Sequence, residues 1–356
     1  MRKKLNIYAP YAKTGYGVAA LNFTKNLPQF GIEPLVRLIG QTAHVNDAEE
    51  KALIEGAVES GKYPDGNSPC LKIWHQFDLA LTIKSAHYFA MSIFELNKFN
   101  NIEKCHLNIP NTLLVNSRWA QEIIRDQVKR DSEVVPLGVD TKIFKPHPKS
   151  QNQDTYRFIN IGKWEVRKGH DILVDLFNKA FTKDDNVELI MLPHNPFYTP
   201  QELQQWKAKY QNSQLGDKIF IFDPVNTHAG VAGIINDCDC GIYPSRAEGF
   251  NLELLETMAC EKPVITTNYS AHTEYCTKDN AYLTEITELE EAYDGKWFHR
   301  QGQWAKLTQS NMDELIDYMR HCYKERPNNP DGVATAQKFS WLNSTQKLVE
   351  KIFKSE

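Results

Sequence analysis

The sequence predicts an α/β chain folded as two doubly wound, Rossmann-like domains facing each other across a cleft. Three observations carry this. Short apolar, β-branched runs alternate with longer helical patterns, which is how parallel sheets covered by helices read. At 356 residues with 41% apolar content, the chain can bury more than one core. Between two sets of runs lies the segment Phe144-Lys-Pro-His-Pro-Lys-Ser-Gln-Asn-Gln-Asp154, with two prolines and no periodicity, as a boundary should have.

Leu5 to Ala9, Leu71 to His75, Tyr88 to Phe94, Thr112 to Asn116 and Glu133 to Pro136 read as strands of the first half, with Leu35 to Ile39 as a further one. Tyr156 to Ile161, Val187 to Leu192, Ile219 to Phe222, Asp239 to Tyr243 and Pro263 to Thr267 form the second set. The expected domains are 1–148 and 149–338. Residues 339–356 form a terminal amphipathic helix, with Ser340 near its N-cap. No repeat of fixed short period is present. Ligands of open α/β sheets bind beyond the carboxyl ends of strands, so two such halves imply a site between them.

Residues 1–150 carry 19 Lys and Arg against 15 Asp and Glu, and residues 151–356 carry 22 against 30. That balance lacks the dense basic stripe of an obligate nucleic-acid binder but leaves a mildly basic first half. Met1 to Pro10 reads as a first strand rather than a signal peptide, and no segment is long enough to span a bilayer. The seven cysteines (70, 105, 238, 240, 260, 276, 322) have no C-x2-C pairing, which fits reduced thiols and a cytoplasmic location, with peripheral attachment at the inner membrane left open.

The window Ser245-Arg-Ala-Glu-Gly-Phe-Asn-Leu-Glu-Leu-Leu-Glu256 bears most on function. Glu248 and Glu256 stand eight residues apart, about two helical turns, so both acids are expected on one face, with Asn251 as N-cap and Pro263 closing the helix. Unpaired amides at a helix start suit a phosphate, and Gly249, Phe250, Asn251 and Leu252 are placed for one. Flanking carboxylates accept hydrogen bonds from vicinal hydroxyls, so Glu248 and Glu256 could hold a sugar and a ribose. A capped surface helix with two solvated acids has the same spacing.

Ile161-Gly-Lys-Trp-Glu-Val-Arg-Lys-Gly169 ends a strand and opens a helix, placing Lys163, Arg167 and Lys168 where they could neutralise a leaving diphosphate. Loss of one such fixed donor typically costs about 3 kcal/mol of barrier. Gly15 and Gly17, in Thr14-Gly-Tyr-Gly-Val-Ala-Ala20, spell a G-x-G-x-x-A that is weak alone as a dinucleotide fingerprint, and the acid expected after the second strand is missing. Asp237-Cys-Asp239 matches a D-x-D metal site but falls at a helix-to-strand turn, and no metal is expected. His75 and Glu95 end two strands of the first half and could orient or deprotonate an acceptor. Phe222-Asp-Pro-Val225 is where base recognition is expected.

In this order, the windows resemble the GT-B retaining glycosyltransferases of family 4. The pieces are Gly15 and Gly17, Leu114-Val-Asn-Ser-Arg-Trp119, Val135-Pro-Leu-Gly-Val-Asp-Thr-Lys-Ile-Phe-Lys-Pro146, Gly162 to Gly169, and Pro244 through Glu256. The resemblance implies that Glu248 contacts the donor sugar, Glu256 the ribose, Lys163 and Lys168 the diphosphate, and the amides from Gly249 to Leu252 the phosphate and sugar. It further implies an acceptor-binding first half, a donor-binding second half, a final helix returning to the first, and no metal or other cofactor, the donor being UDP- or GDP-linked. Lys163 stands where Arg is usual, Glu261 where Gly is usual, and Glu95 near where many members place a catalytic His. Lys keeps the charge but loses the bidentate fork.

The resulting expectation is transfer of a hexose-type sugar, with retention, to a saccharide, lipid-linked or other cell-envelope acceptor. A modified base in DNA is the alternative acceptor, motivated by the basic first half and the long stretch from Gln41 to Pro69. A dinucleotide-dependent oxidoreductase built on Gly15 and Gly17 is the alternative of a different class.

Overall fold

The computed structural model describes residues 3–12, 14–40, 48–149, 154–193 and 195–353. Parts of two segments singled out in the sequence, 41–47 and 150–153, lie outside the described residues. The chain divides into two compact units, one of residues 1–138 with 339–356, the other of residues 139–338.

The first unit begins with β1 (Lys3–Ala9), α1 (Gly15–Asn26), β2 (Ile32–Leu38), α2 (Ala48–Ser60), β3 (Cys70–Ile73) and β4 (Tyr88–Met91). It continues through α3 (Asn101–Leu107), β5 (Thr112–Val115), α4 (Arg118–Val128) and β6 (Glu133–Val134). All six strands are parallel, in the order β2-β1-β3-β4-β5-β6. The four residues of β3 and of β4 are buried throughout, which explains why these runs are apolar rather than alternating except at Lys72, whose Nζ donates to the Leu81 carbonyl at 2.8 Å. The stretch from Gln41 to Pro69, over its described part, supplies α2, the crossover from β2 to β3.

The second unit runs β7 (Tyr156–Ile161), α5 (His170–Ala180), β8 (Val187–Leu192), α6 (Pro200–Gln211), β9 (Ile219–Ile221), α7 (His228–Asp237), β10 (Cys240–Tyr243), α8 (Leu252–Ala259) and β11 (Val264–Asn268). Then come β12 (Tyr282–Glu285), an antiparallel hairpin of β13 (Leu289–Tyr293) and β14 (His299–Ala305), and helices α9 (Gln309–Glu325) and α10 (Pro330–Lys338). Its sheet is parallel, in the order β12-β11-β10-β7-β8-β9. Phe158, Leu189 and Ile242 from the sheet pack with Leu173 and Phe177 of α5 and Leu315 and Met319 of α9 in one core.

The last helix, α11 (Trp341–Phe353), belongs to the first unit. Ser340 caps it, its hydroxyl accepting from the Asn343 amide at 3.3 Å. Trp341 meets Phe23 of α1 edge-on at 5.4 Å, and the Ser344 hydroxyl donates to the Leu137 carbonyl at 3.1 Å. Gly138 is required here, because a Cβ would lie 2.5 Å from the Trp341 nitrogen.

Strand order reverses between β1 and β3 in the first sheet, and between β7 and β10 in the second. Such switch points leave a crevice at the carboxyl ends of the two diverging strands. The segments after those four strands hold Gly15 and Gly17, His75, Lys163 to Lys168, and Glu248.

Candidate active site

In the second unit, the loops after β7 and β10 are locked together by ion pairs. Arg167 donates from Nη1 to Glu248 Oε2 at 2.7 Å and to the Ala247 carbonyl at 2.7 Å. Its Nε and Nη2 take Glu165 Oε2 at 3.1 and 2.8 Å. Lys168 Nζ donates to Glu248 Oε1 at 3.0 Å, and the Ser245 hydroxyl donates to the same oxygen at 2.9 Å. Glu165, Arg167, Lys168 and Glu248 are all buried. Burial alone would favour the neutral acid, but Arg167 and Lys168 overcome it and hold the Glu248 carboxyl well below the ordinary carboxylate range. Glu165 is lowered by Arg167 and Lys163 against the same burial. Burial opposes the Lys168 charge, yet Glu248 and Glu253 raise its pKa.

Two glycines make this packing possible. Gly162 has φ +140°, and a Cβ there would lie 2.9 Å from Lys168 Cδ, so the lysine stem runs across bare backbone. Gly169, at φ +77°, passes so near the Pro244 carbonyl that a Cβ would come within 2.2 Å of its oxygen. Behind them, His170 Nε2 bonds Asn160 Oδ1 at 2.8 Å and its Nδ1 accepts from the Glu165 amide at 3.1 Å. Burial, with Lys168 nearby, lowers the His170 pKa to about 4, so the ring is neutral near pH 7.

Asn251 caps α8 as expected, its side chain accepting from the Leu254 amide at 3.3 Å. It holds a left-handed φ of +69° and is braced by His272, whose Nε2 lies 2.9 Å from Asn251 Nδ2. The expectation that Glu248 and Glu256 share a helical face is corrected. The helix starts at Leu252 and ends at Ala259, before Pro263, so Glu248 stands in the preceding loop and only Glu256 is helical. The left-handed turn at Asn251 intervenes, and spacing counted as helix does not apply across it. Glu248 is spent on internal cations, whereas among the described residues no cation pairs with the half-buried Glu256. Burial and the like charge of Glu253 push the Glu256 carboxyl well above its ordinary value.

Gly249, Phe250, Asn251 and Leu252 form the approach to the α8 N-terminus, where first-turn amides have no intrahelical partner. Lys163 pairs with Glu165 Oε1 at 3.0 Å and lies 5.6 Å from the Phe197 ring centroid, with its side chain 38% exposed. Val225 is half-buried between β9 and α7. Asp239, of the D-x-D, accepts from the Arg157 amide at 2.8 Å and pairs with Lys149 at 2.6 Å. Among the described residues no cluster of three His, Cys, Asp or Glu could hold a metal.

In the first unit, Tyr16, in the first turn of α1, lies 4.5 Å from His75 after β3, and His75 stacks on Phe77 at 4.9 Å with 13° between rings. The Tyr16 hydroxyl donates to the Ile93 carbonyl at 2.5 Å. Burial raises the Tyr16 pKa well above its ordinary value, and the negative charge of Glu95 adds to this. The structure therefore sets Tyr16 against His75 and places Glu95, Gly15 and Gly17 in the same unit. Gly17 has a structural cause: a Cβ would stand 1.9 Å from the Ala12 carbonyl oxygen, so backbone crowding by itself demands glycine there. Gly15 has nothing within 4 Å of such a Cβ.

Sequence reasoning missed Glu165, His170, His272 and Arg246. Arg246 forks onto Asp171 at 2.7 and 2.9 Å and reaches Glu290 of β13 at 3.3 Å, tying the hairpin to the site loop. The E-x-R spacing from Glu165 to Arg167 was readable as a local ion pair; the two histidines carry no local signal.

Two parallel six-stranded sheets, each with its polar groups gathered at a switch point, define a two-domain α/β protein of the GT-B fold. Solved structures agree. Sucrose-phosphate synthase from Thermosynechococcus elongatus has a TM-score of 0.74 at 14% identity over 100% of both chains. Anabaena HepE in complex with UDP-glucose has 0.72 at 15% over 99% of each. Residues 155–294 match the family model described as glycosyl transferases group 1. The assignment displaces the dinucleotide-dependent oxidoreductase alternative. A GDP-mannose-dependent phosphatidylinositol dimannoside mannosyltransferase of Mycobacterium tuberculosis is 23% identical over 48% of this chain and 44% of its own length. A probable sucrose-phosphate synthase of Thermosipho melanesiensis is 26% identical over 56% and 47%. The chain thus spans about half the length of the curated relatives it matches.

Proposed function

We propose that the protein is a retaining, metal-independent glycosyltransferase. It moves a hexose-type sugar from a UDP- or GDP-linked donor to a hydroxyl of a saccharide, lipid-linked or other cell-envelope acceptor. The observation that carries this reading is the ion-pair network at the β7/β10 switch point that joins Lys163, Glu165, Arg167, Lys168 and Glu248, with Lys168 reaching Glu253 in the first turn of α8 at 3.8 Å. Fixed cations and first-turn amides suit a diphosphate, and the unpaired Glu256 suits vicinal hydroxyls. Support also comes from relatives whose names specify GDP-mannose and from a neighbour in complex with UDP-glucose.

In this reading the acceptor oxygen attacks the anomeric carbon on the face from which the diphosphate leaves. The carbon–oxygen bond to phosphate breaks, and a departing phosphate oxygen takes the acceptor proton. Lys163 and Lys168 stabilise the leaving charge, and Arg167, turned inward, holds Glu248 in place. His75 and Glu95 are the candidates to orient the acceptor. Among the described residues no helix is long and apolar enough to cross a membrane. A cytoplasmic enzyme reaching lipid-linked acceptors at the membrane face belongs to the same proposal.

A thermal-shift screen of nucleoside diphosphates and nucleotide sugars tests the donor side, since a ligand of the native state stabilises it by mass action. Labelled transfer from the hit, with and without EDTA and with anomeric configuration read by NMR, tests the chemistry. Inversion, or loss of activity on chelation, rejects the respective part. Hydroxymethylated DNA joins the acceptor panel, and labelling of DNA alone replaces the saccharide acceptor.

A further inference from the structure

Glu165 is the one buried carboxylate of the second-unit site that the proposed chemistry leaves without a task. It occupies the turn between β7 and α5, with its backbone amide fixed by His170 and one carboxylate oxygen forked by Arg167. Its other oxygen holds Lys163 at 3.0 Å. Of the three cations in this loop, Arg167 and Lys168 are buried on internal carboxylates, and Lys163 alone is substantially exposed, at 38%. Lys163 can therefore turn to a ligand at little cost, because partly solvated ion pairs are weak while a phosphate offers more negative charge.

We propose that Glu165 is an internal stand-in for phosphate: it holds Lys163 in place in the ligand-free protein and gives it up when the diphosphate of a donor arrives. Glu165 is then a positioning residue that tunes donor affinity, since every incoming diphosphate must displace it from Lys163. The Arg167 fork keeps Glu165 from following Lys163 outward. This inference rests on the donor-site reading above and predicts a gain of function that a purely structural ion pair would not give.

The test is isothermal titration calorimetry with UDP, GDP and inorganic pyrophosphate at low and high salt. Glu165→Gln keeps the shape and an acceptor for Arg167 but removes the charge. Affinity for the tightest of the three probes rises roughly threefold to tenfold at low salt, the scale of one partly screened charge, and the gain shrinks at high salt. In the Lys163→Met background the same substitution gives no gain. Unchanged or weaker binding by a folded Glu165→Gln overturns the proposal. If that variant does not fold, a crystal structure of the wild type with the tightest probe decides. Lys163 on the phosphates and away from Glu165 supports the proposal, and a retained 3 Å pair overturns it. Absence of binding by the wild type defeats the donor-site reading instead. Binding that Lys168→Met weakens and Glu165→Gln does not improve defeats this inference alone.

Discussion

The two switch points are chemically unlike. At β7/β10 in the second unit, two carboxylates and two cations are buried in a closed network, each group with assigned partners. At β1/β3 in the first unit, the polar groups are a tyrosine and a histidine among Trp74 and Phe77, the last 51% exposed, with Glu95 following β4. A ligand whose charged part is always the same can be met by charges fixed in advance, whose desolvation is offset during folding. A variable ligand is better met by rings and half-buried side chains. On the proposed function, the first description fits the donor diphosphate and the second the acceptor.

The largest expected effect lies in the closed network. Glu248→Gln lowers turnover by about 100-fold or more, as loss of a preorganised contact does, and steady-state transfer assays read it. Unchanged turnover removes Glu248 from the site. Glu248→Ala is a poor probe of chemistry. It strips Arg167 and Lys168 of their buried partner, and breaking such a pair costs about 3–5 kcal/mol.

Substitutions in the first unit sharpen the contrast. If the nucleotide is held by the second unit alone, His75→Ala and Glu95→Gln leave the Kd for UDP or GDP within about twofold. Whichever residue acts on the acceptor loses about 100-fold in transfer. A shift in nucleotide affinity from either variant abolishes the division of labour. The two glycines at the start of α1 give a smaller, structural contrast. Gly17→Ala meets the Ala12 backbone and costs about 1–3 kcal/mol by overpacking, read from denaturant midpoints. Gly15→Ala, with open space around it, gains a few tenths of a kcal/mol, up to about 1, from the restricted unfolded chain. Activity lost in Gly15→Ala without loss of stability would identify a ligand passing that backbone.

These contrasts also explain what the sequence made legible. Tyr156–Ile161 and Val187–Leu192 coincide with the expected strands because both are central, buried and flanked by polar residues. The strand Tyr282–Glu285 and the hairpin of Leu289–Tyr293 with His299–Ala305 went unread. The first lies at a sheet edge and is largely polar, and the second carries glutamates and a histidine on exposed faces. In the site, Glu248, Lys163 and Lys168 were visible as residue types in loops after strands. That Glu248 faces inward on Arg167 was not, because the contact joins residues 81 apart. The left-handed Asn251 likewise broke a count that assumed continuous helix.

The last contrast concerns pH. His170 and His272 are buried beneath the network, and burial lowers both to about 4. In the unfolded chain each takes a proton near pH 6.5, while the native ring stays neutral down to about 4. Between those values the unfolded state binds more protons, so stability falls as pH falls, by up to about 3 kcal/mol per histidine at 1.36 kcal/mol per unit. Glu248 and Glu165 have depressed values, so their contribution stays intact above the ordinary carboxylate pKa and is lost only below it. Glu256, whose value is raised, works in the opposite direction as pH falls through its folded pKa. Comparing wild type with His272→Asn cancels the carboxylate contributions. Urea unfolding at pH 7, 5.5 and 4.5 should show the wild type losing more stability than the variant across that range, while a slope unchanged by the substitution would mean that His272 takes up its proton at the same pH in the native and the unfolded protein.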